Sequence, residues 1–310
     1  MGNKNKFTFY MPIYGIVFTG THQLGSFELC DKNTFLSRIE NDKIRNQIAC
    51  GEESNYYVSF SVFAIDRGDA INMAYKKSSE FKRMMDFCCG RNNSIPAVNL
   101  YRQNPQSERM LILSDDINHV GVHEEMNNNY IPVNHTLDEF LEEMQKNKTM
   151  YVWDLYAKEN KTDKESRILN AILWVGKAHI ELDNKIYFLE LCFALESLLQ
   201  VDTDKFINPS ITYSISSNCA MIIADKYEDR KKVMSKIKQL YSIRSKLAHG
   251  KSSDVSNLEC EQLFMYISYL LDDLANKEIW KQYSSMSELM QEIENQKFGK
   301  SGNNSENDTK

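Results

Sequence analysis

Residues that interrupt helices are concentrated in the first half of this chain of 310 residues. Four of its five prolines lie within the first 132 residues, and from residue 133 to residue 298 the only interruptions are Pro209 and the glycines Gly176 and Gly250. Because proline and glycine are the residues least compatible with a helix interior, the second half is free to form long helices. The sequence therefore predicts an α+β N-terminal domain over residues 1–150, followed by an all-α helical bundle.

The first part mixes strand and helix signals. Segments rich in β-branched and aromatic residues predict strands at 7–18, 56–65 and 110–113. Apolar residues at helical spacing predict a helix over 69–87. Thr136 followed by Glu139 is the capping-box pattern that begins a helix, here predicted over 137–147.

The second part has helical periodicity throughout. Helices are predicted at 163–181, 184–200, 211–226, 229–249, 255–276 and 284–296. The helix over 184–200 is apolar on nearly all sides, which is typical of the central helix of a bundle. We therefore divide this part into a bundle over 160–276, an accessory helix within 277–298 and a polar tail, 299–310, that should be disordered.

Two charged residues interrupt the apolar faces of these helices. On a helical projection, Arg244 lies in the middle of an apolar stripe formed by Val233, Ile237, Leu240, Tyr241, Leu247 and Ala248. On the helix predicted to be central, Glu196 lies in a second stripe, with Leu189, Cys192 and Leu199. An arginine keeps its charge, so burying it without a partner is costly.

A histidine ends the helix that carries the arginine. His249 follows Arg244 by five residues, and Gly250, a helix stop signal, comes directly after it. The last turn of a helix favours the imidazolium form, and a guanidinium next to an imidazole suits a site that handles phosphate. The structural alternative is an ion pair between Arg244 and Glu196 beside a histidine that caps the helix.

This Arg-x4-His pattern at a helix end resembles the signature of HEPN domains (higher eukaryotes and prokaryotes nucleotide-binding). The flanking sequence resembles the ApeA-like branch of that superfamily in Phe193-Ala194-Leu195-Glu196-Ser197-Leu198-Leu199 and in Tyr241-Ser242-Ile243-Arg244-Ser245-Lys246, which runs into His249-Gly250. The preceding helix of the family is similar to Arg167-Ile168-Leu169-Asn170-Ala171-Ile172-Leu173-Trp174, with Gly176 and Ala178. The resemblance covers roughly residues 160–275 and does not extend clearly to the first half.

The resemblance implies a metal-independent endoribonuclease, with Arg244 and His249 as catalytic residues and Glu196 and Ser245 in support. The most active HEPN nucleases often carry Asn, Asp or His where this chain has Ser245. The family also implies a homodimer, in which two motifs line one cleft, and products with 2′,3′-cyclic phosphate and 5′-hydroxyl ends. ApeA-like proteins are associated with bacterial antiphage defence and toxin-like growth arrest. The first domain would then sense a phage or host trigger molecule, or restrain the nuclease.

Positive charge is concentrated around this motif. Residues 226–251 contain nine Lys and Arg against two acids, although the whole chain has a net charge of −6. Such a strip suits the phosphates of single-stranded RNA, and Tyr241, Lys246 and Lys251 are the expected RNA contacts. The alternative is an ordinary solvated helix face. The negative net charge excludes a protein coated with nucleic acid over its whole surface.

Two other functions stay open at this point. A HEPN protein without catalysis would bind RNA or nucleotide, or serve as a dimerisation module. A purely structural helical scaffold would leave any chemistry to the first domain. In residues 1–150 we find no nucleophile–base pair and no metal-ligand set that would support such an enzyme.

No cofactor and no metal site is predicted. His119 and His123 flank a Val-Gly-Val segment that is a poor helix, so we interpret them as surface histidines on a loop. Gly299-Lys300-Ser301 lacks the upstream glycine and the strand of a phosphate-binding loop. The seven cysteines show no Cys-x-x-Cys spacing, which favours reduced thiols. The sequence also shows no signal-peptide pattern and no long apolar run, so we expect a cytoplasmic protein without a membrane segment.

Overall fold

The chain divides into two compact units, Met1–Lys158 and Glu159–Lys310. A computed structural model describes residues 4–50, 54–89, 98, 107–114, 120–126, 135–201, 210–250 and 254–297. Among these residues, the first unit contains every strand and the second contains only helices. The expected fold class, an α+β part followed by a helical part, is therefore confirmed.

The first unit is built on an antiparallel sheet. Its strands are β1 (Asn5–Pro12), β2 (Ile16–Val17), β3 (Thr21–Leu24), β4 (Phe27–Asp31), β5 (Tyr56–Ala64), β6 (Ser107–Ser114), β7 (Val120–Met126) and β8 (His135–Thr136). Within the described residues, six of them form one sheet in the order β3-β4-β5-β1-β6-β7, and β2 pairs in parallel with β8. The register places Phe9 of β1 opposite Phe60 of β5.

Helices cover both faces of this sheet. They are α1 (Lys32–Ser37), α2 (Asp42–Cys50), α3 (Arg67–Cys89), α4 (Leu137–Lys146) and α5 (Tyr151–Ala157). Side chains alternate along a strand, so Phe9 and Tyr10 point to opposite faces. Tyr10 packs with Phe35 of α1 and with Ile48 of α2 in one buried cluster. On the other face, α3 packs against β1 and β5.

The sequence predicted part of this unit. The strands at 56–65 and 110–113, the helix at 69–87 and the helix that begins with the capping box of Thr136 and Glu139 are confirmed. The single strand at 7–18 is wrong, because the chain turns at Gly15, whose φ is +88°, and splits into β1 and β2. The sequence did not predict strands β3, β4, β7 and β8 or helices α1, α2 and α5.

The interpretation of the two neighbouring histidines as loop residues needs correction. His123 lies in β7, which pairs with β6, so this segment is a strand. The sequence did not indicate this strand, because the segment contains a glycine and two glutamates, which are unfavourable in strands. His119 lies outside the described residues.

The second unit is helical throughout its described residues. Its helices are α6 (Asp163–Ala178), α7 (Asn184–Leu199), α8 (Ile211–Ile223), α9 (Tyr227–Ala248), α10 (Asn257–Asn276), α11 (Glu278–Lys281) and α12 (Met286–Lys297). Helix α7 packs against α6, α8, α9 and α10, so the prediction of a central helix over 184–200 is confirmed. The tail at 299–310, with Gly299-Lys300-Ser301, lies outside the described residues. No helix in the described part of the chain is long and apolar enough to cross a membrane.

Candidate functional site

Helices α7 and α9 bring Glu196 and Arg244 together. Arg244 Nε donates to Glu196 Oε1 at 2.9 Å, and Arg244 Nη2 donates to Glu196 Oε2 at 3.2 Å. Two parallel contacts between a guanidinium and a carboxylate fix the orientation of both groups. Burial lowers the pKa of Arg244, but the hydrogen bond and the charge of Glu196 outweigh burial and leave this pKa raised. The guanidinium is therefore held as a cation in one orientation.

This ion pair lies at the margin of the core. The Arg244 side chain is 30% exposed and the Glu196 side chain 15% exposed. Leu247 is half-buried and Ala248 is exposed, so the prediction that Arg244 lies in the middle of a buried stripe is wrong. The buried part of the stripe consists of Val233, Ile237, Leu240 and Tyr241. Because the described neighbours cover these turns more fully than the last turn of α9, Arg244 retains access to solvent.

Tyr241 completes the cluster as a buried donor. Its hydroxyl donates to Glu196 Oε1 at 3.3 Å, and only 2% of the residue is exposed. Burial first, and then the neighbouring Cys192 and Glu196, raise the pKa of Tyr241 well above its ordinary value, so the hydroxyl keeps its proton. The expectation that Tyr241 contacts RNA is wrong, because its ring cannot reach a base. Its observed contact orients the carboxylate that holds Arg244.

His249 stands at the exposed end of α9. The helix ends at Ala248, and the His249 N–H donates to the Ser245 carbonyl at 3.2 Å. Gly250 follows with a φ of +65°, in the left-handed region that glycine adopts without strain, and its N–H donates to the Leu247 carbonyl at 3.0 Å. The predicted end of the helix at Gly250 is confirmed. His249 is exposed to solvent at the negative end of the helix.

Arg244 and His249 leave α9 in different directions. Five residues of α-helix separate two side chains by about 140° around the axis and about 7.5 Å along it. Arg244 is on the side that faces α7, where it meets Glu196. His249 lies on an open surface, away from the buried residues of α9. One chain therefore presents the two groups on separate sides of one helix end.

The remaining predicted residues of the site divide into two groups. Ser245 and Lys246 are exposed, and Lys251 lies outside the described residues.

The acids of the basic strip are both at the start of α9, where Glu228 Oε1 is 3.8 Å from Lys231 Nζ and Asp229 Oδ1 is 3.1 Å from Lys232 Nζ. Residues 230–250 contain no Asp or Glu, so the remainder of α9 has positive side chains and no acidic ones.

A second arginine fixes the end of the helix that carries Glu196. Arg167 Nη1 donates to the carbonyls of Ser197 at 3.2 Å and Gln200 at 2.8 Å, and Arg167 Nε donates to Asp163 Oδ1 at 3.0 Å. The last carbonyls of a helix lack intrahelical donors, so this contact stabilises the final turn of α7. Sequence reasoning missed the role of Arg167, because the carbonyls that it contacts belong to the end of another helix. Its place among the residues that resemble the family was the signal available.

Two further observations concern metal ligands and thiols. Within the described ranges, no three His, Cys, Asp or Glu side chains are grouped so as to hold a metal ion. All seven cysteines are free thiols. Burial, followed by the charge of Glu196, raises the pKa of Cys192, which keeps this thiol protonated.

Comparisons with protein-family models, with curated proteins and with solved structures gave no match to this chain. An assignment of function therefore depends on the arrangement of Glu196, Arg244 and His249 and on the sequence resemblance.

Proposed function

We propose that the helical unit is a metal-independent endoribonuclease of the ApeA-like HEPN type. The observation that carries this proposal is the orientation of Arg244, a half-buried cation fixed by Glu196 yet open to solvent, five residues before an exposed histidine at a helix end. The sequence resemblance supports the same assignment.

The chemistry follows from the two groups. The 2′-hydroxyl oxygen of RNA attacks the adjacent phosphorus, its proton passes to a base, and the bond from phosphorus to the 5′-oxygen breaks as that oxygen receives a proton. The products are a 2′,3′-cyclic phosphate and a 5′-hydroxyl. An imidazole transfers protons near neutral pH, and a guanidinium stabilises the charge that accumulates on the phosphorane. We assign the proton transfer to His249 and the charge stabilisation to Arg244.

One histidine is not enough for both proton transfers. In an in-line displacement, the attacking and departing oxygens lie on opposite sides of the phosphorus, so a single imidazole does not reach both. The separate directions of Arg244 and His249 on α9 add to this difficulty. We therefore propose a homodimer in which the two copies of α9 contribute their histidines to one cleft.

Glu196 has a positioning role in this scheme. It occupies Nε and Nη2 of Arg244, and among the described residues no acceptor faces the third nitrogen, Nη1. We propose that Nη1 meets the phosphate while Glu196, which Tyr241 orients, holds the other edge. The first unit would sense a phage or host trigger, or restrain cleavage, in antiphage defence or toxin-like growth arrest.

The second candidate is a HEPN protein that binds RNA or nucleotide without cutting it, or that only dimerises. The observation that favours it is the full engagement of the Glu196 carboxylate with Arg244, which neutralises much of the charge that a phosphate would meet. In this case Arg244 would be a structural residue and His249 only a helix cap.

The test is cleavage of RNA by the purified full-length chain in EDTA. We expect single-stranded RNA to be cut to fragments that end in 2′,3′-cyclic phosphate, and His249→Ala to remove this activity. The matched control is His135→Ala in the first unit, whose imidazole is also substantially exposed and which should cut normally. A wild-type chain that needs added Mg²⁺ or Mn²⁺, or that cuts no faster than His249→Ala, would refute the proposed mechanism.

A further inference from the structure

Two exposed tyrosines lie beside lysines on the surface formed by α8 and α9. Tyr227 is 69% exposed and the Lys231 ammonium lies 4.7 Å from the centre of its ring. Tyr213 is 48% exposed and the Lys238 ammonium lies 5.3 Å from its ring. In each pair the ammonium lies over the ring, so a positive charge and an aromatic ring are presented to solvent together.

Helical geometry aligns these pairs with the proposed catalytic histidine. At 100° per residue, Tyr227, Lys231, Lys238 and His249 lie within about 40° of one another around the axis of α9. Tyr213 of α8 joins the same side through its contact with Lys238. From Lys238 to His249 the distance along the helix is about 17 Å. The two pairs and His249 therefore lie along one side of α9, which we call the tyrosine–lysine ridge.

The charge on this ridge favours an anionic partner. The acids of α9, Glu228 and Asp229, are confined to its first turn, and both are close to lysines. Beyond them the ridge has no acidic residue on α9, although the chain as a whole is acidic. An apolar protein partner would explain the rings but not the aligned lysines, and a simple phosphate would explain the lysines but not the rings.

We infer that the tyrosine–lysine ridge binds single-stranded RNA and guides it along α9 to His249. Aromatic rings stack on unpaired bases whatever their identity, while lysines track the phosphates, and this combination is how proteins hold single strands. A duplex hides its base faces, so the rings would gain nothing from it. This inference rests on the proposed function, since it takes the substrate of that site to be RNA. It adds that the ridge, rather than Tyr241, supplies the surface on which the bases stack.

The inference is tested by binding measured apart from cleavage. Fluorescence anisotropy would follow a labelled oligouridine on the full-length His249→Ala chain at several salt concentrations, with a blunt RNA duplex of equal length for comparison. Tyr213→Ala and Lys238→Gln are made in the same background. The controls are Tyr269→Ala, since Tyr269 of α10 is 49% exposed, and Lys232→Gln, which lies about 100° around α9 from Lys231.

We expect the single strand to bind more tightly than the duplex. Tyr213→Ala should weaken binding about tenfold without changing its salt dependence, because a stacking contact is lost. Lys238→Gln should reduce the slope of log K against log salt by about 0.7, the value for one phosphate contact on a single strand. Both control variants should bind as the parent does. Because all four side chains are at the surface, thermal melting should show unchanged stability.

Three results would overturn the inference: equal binding by Tyr213→Ala and Tyr269→Ala, equal affinity for single strand and duplex, or no binding of the oligonucleotide. The outcome is separable from that of the proposed function. If the chain with an intact His249 cuts RNA while the ridge variants bind as the controls do, the proposed nuclease is supported and the RNA-binding role of the ridge is refuted. If the ridge binds RNA while the unmodified chain cuts none, only the proposed nuclease activity is refuted.

Discussion

Arg244 presents two of its nitrogens to Glu196 and turns the edge that carries Nη1 away from it. The carboxylate thereby fixes the plane of the guanidinium without enclosing it. A lysine in this place would keep the charge but lose the orientation, since an ammonium has no planar fork. The charge of Arg244 and the orientation of its guanidinium are therefore separate contributions, and different variants can test each of them.

Substitutions of Arg244 should separate these contributions. Arg244→Ala should abolish cleavage and destabilise the fold by about 1–2 kcal/mol, less than the loss for a fully buried pair, because the arginine is 30% exposed. Arg244→Lys should reduce cleavage at least tenfold with a smaller loss of stability. Single-turnover cleavage and urea unfolding measure the two effects. Normal cleavage by Arg244→Lys, together with unfolding of Glu196→Gln, would identify the pair as structural.

Tyr241→Phe tests the role of the buried hydroxyl. The ring still fills its place, while Glu196 Oε1 loses a donor. We expect a stability loss of about 0.5–1.5 kcal/mol, as for one hydrogen bond, and a modest decrease in the rate of cleavage. RNA affinity should not change, because the ring is buried. An affinity loss without a rate loss would return Tyr241 to the RNA-binding surface.

A dimeric site predicts that inactive chains inhibit active ones. Excess His249→Ala chain, mixed with wild type and allowed to exchange subunits, should lower the activity per wild-type chain, because mixed dimers have one imidazole where two are needed. Excess His135→Ala should not inhibit. Light scattering under the same conditions should show at least a dimer. A monomer at concentrations where cleavage proceeds would exclude the shared cleft.

The link between Asp163 and Arg167 predicts a pH dependence of stability. Burial alone would raise the pKa of Asp163, but the N–H of Met286 and the guanidinium of Arg167 lower it below 3.8. A lowered folded-state pKa stabilises the fold above the unfolded value and loses this effect as the pH falls through the folded value. Asp163→Asn should therefore destabilise by roughly 1 kcal/mol at pH 7, and the difference from wild type should shrink below pH 4.

Urea unfolding at pH 7, 5 and 3.5 would measure this difference. Asp254→Asn is the matched control, because the Asp254 side chain is fully exposed and lies 3.8 Å from Lys185 Nζ. It should leave stability unchanged at every pH. A constant difference between Asp163→Asn and wild type over this range would show that the carboxylate charge does not contribute.

The helical unit was easier to predict than the sheet, for a physical reason. A helix is stabilised by contacts within one segment, so periodicity and capping residues reveal it, as with the boundaries around α7 and α9. A strand depends on partners far away in sequence. Thr21–Leu24 and Val120–Met126 contain polar residues or glycine and are strands only because β4 and β6 lie beside them.

The same distinction applies to the candidate site. The pairing of Glu196 with Arg244 could be anticipated, because two charges on apolar stripes need each other. The exposure of Arg244 could not be anticipated, because it depends on how far the neighbouring helices extend along α9. The role of Arg167 was missed and that of Tyr241 was misjudged for a similar reason, because their partners, a backbone carbonyl and a carboxylate, belong to another helix.

The left-handed conformation at the end of α9 has a consequence for sequence variation. A Cβ atom added to Gly250 would meet no atom of the described residues around it within 4 Å, so these neighbours leave room for a side chain. The φ of +65° is what restricts the residue type at position 250, and Asn tolerates this region best after glycine. Among homologues that keep this helix end, position 250 should therefore alternate between Gly and Asn. β-branched residues should be absent there, however much room the surface offers them.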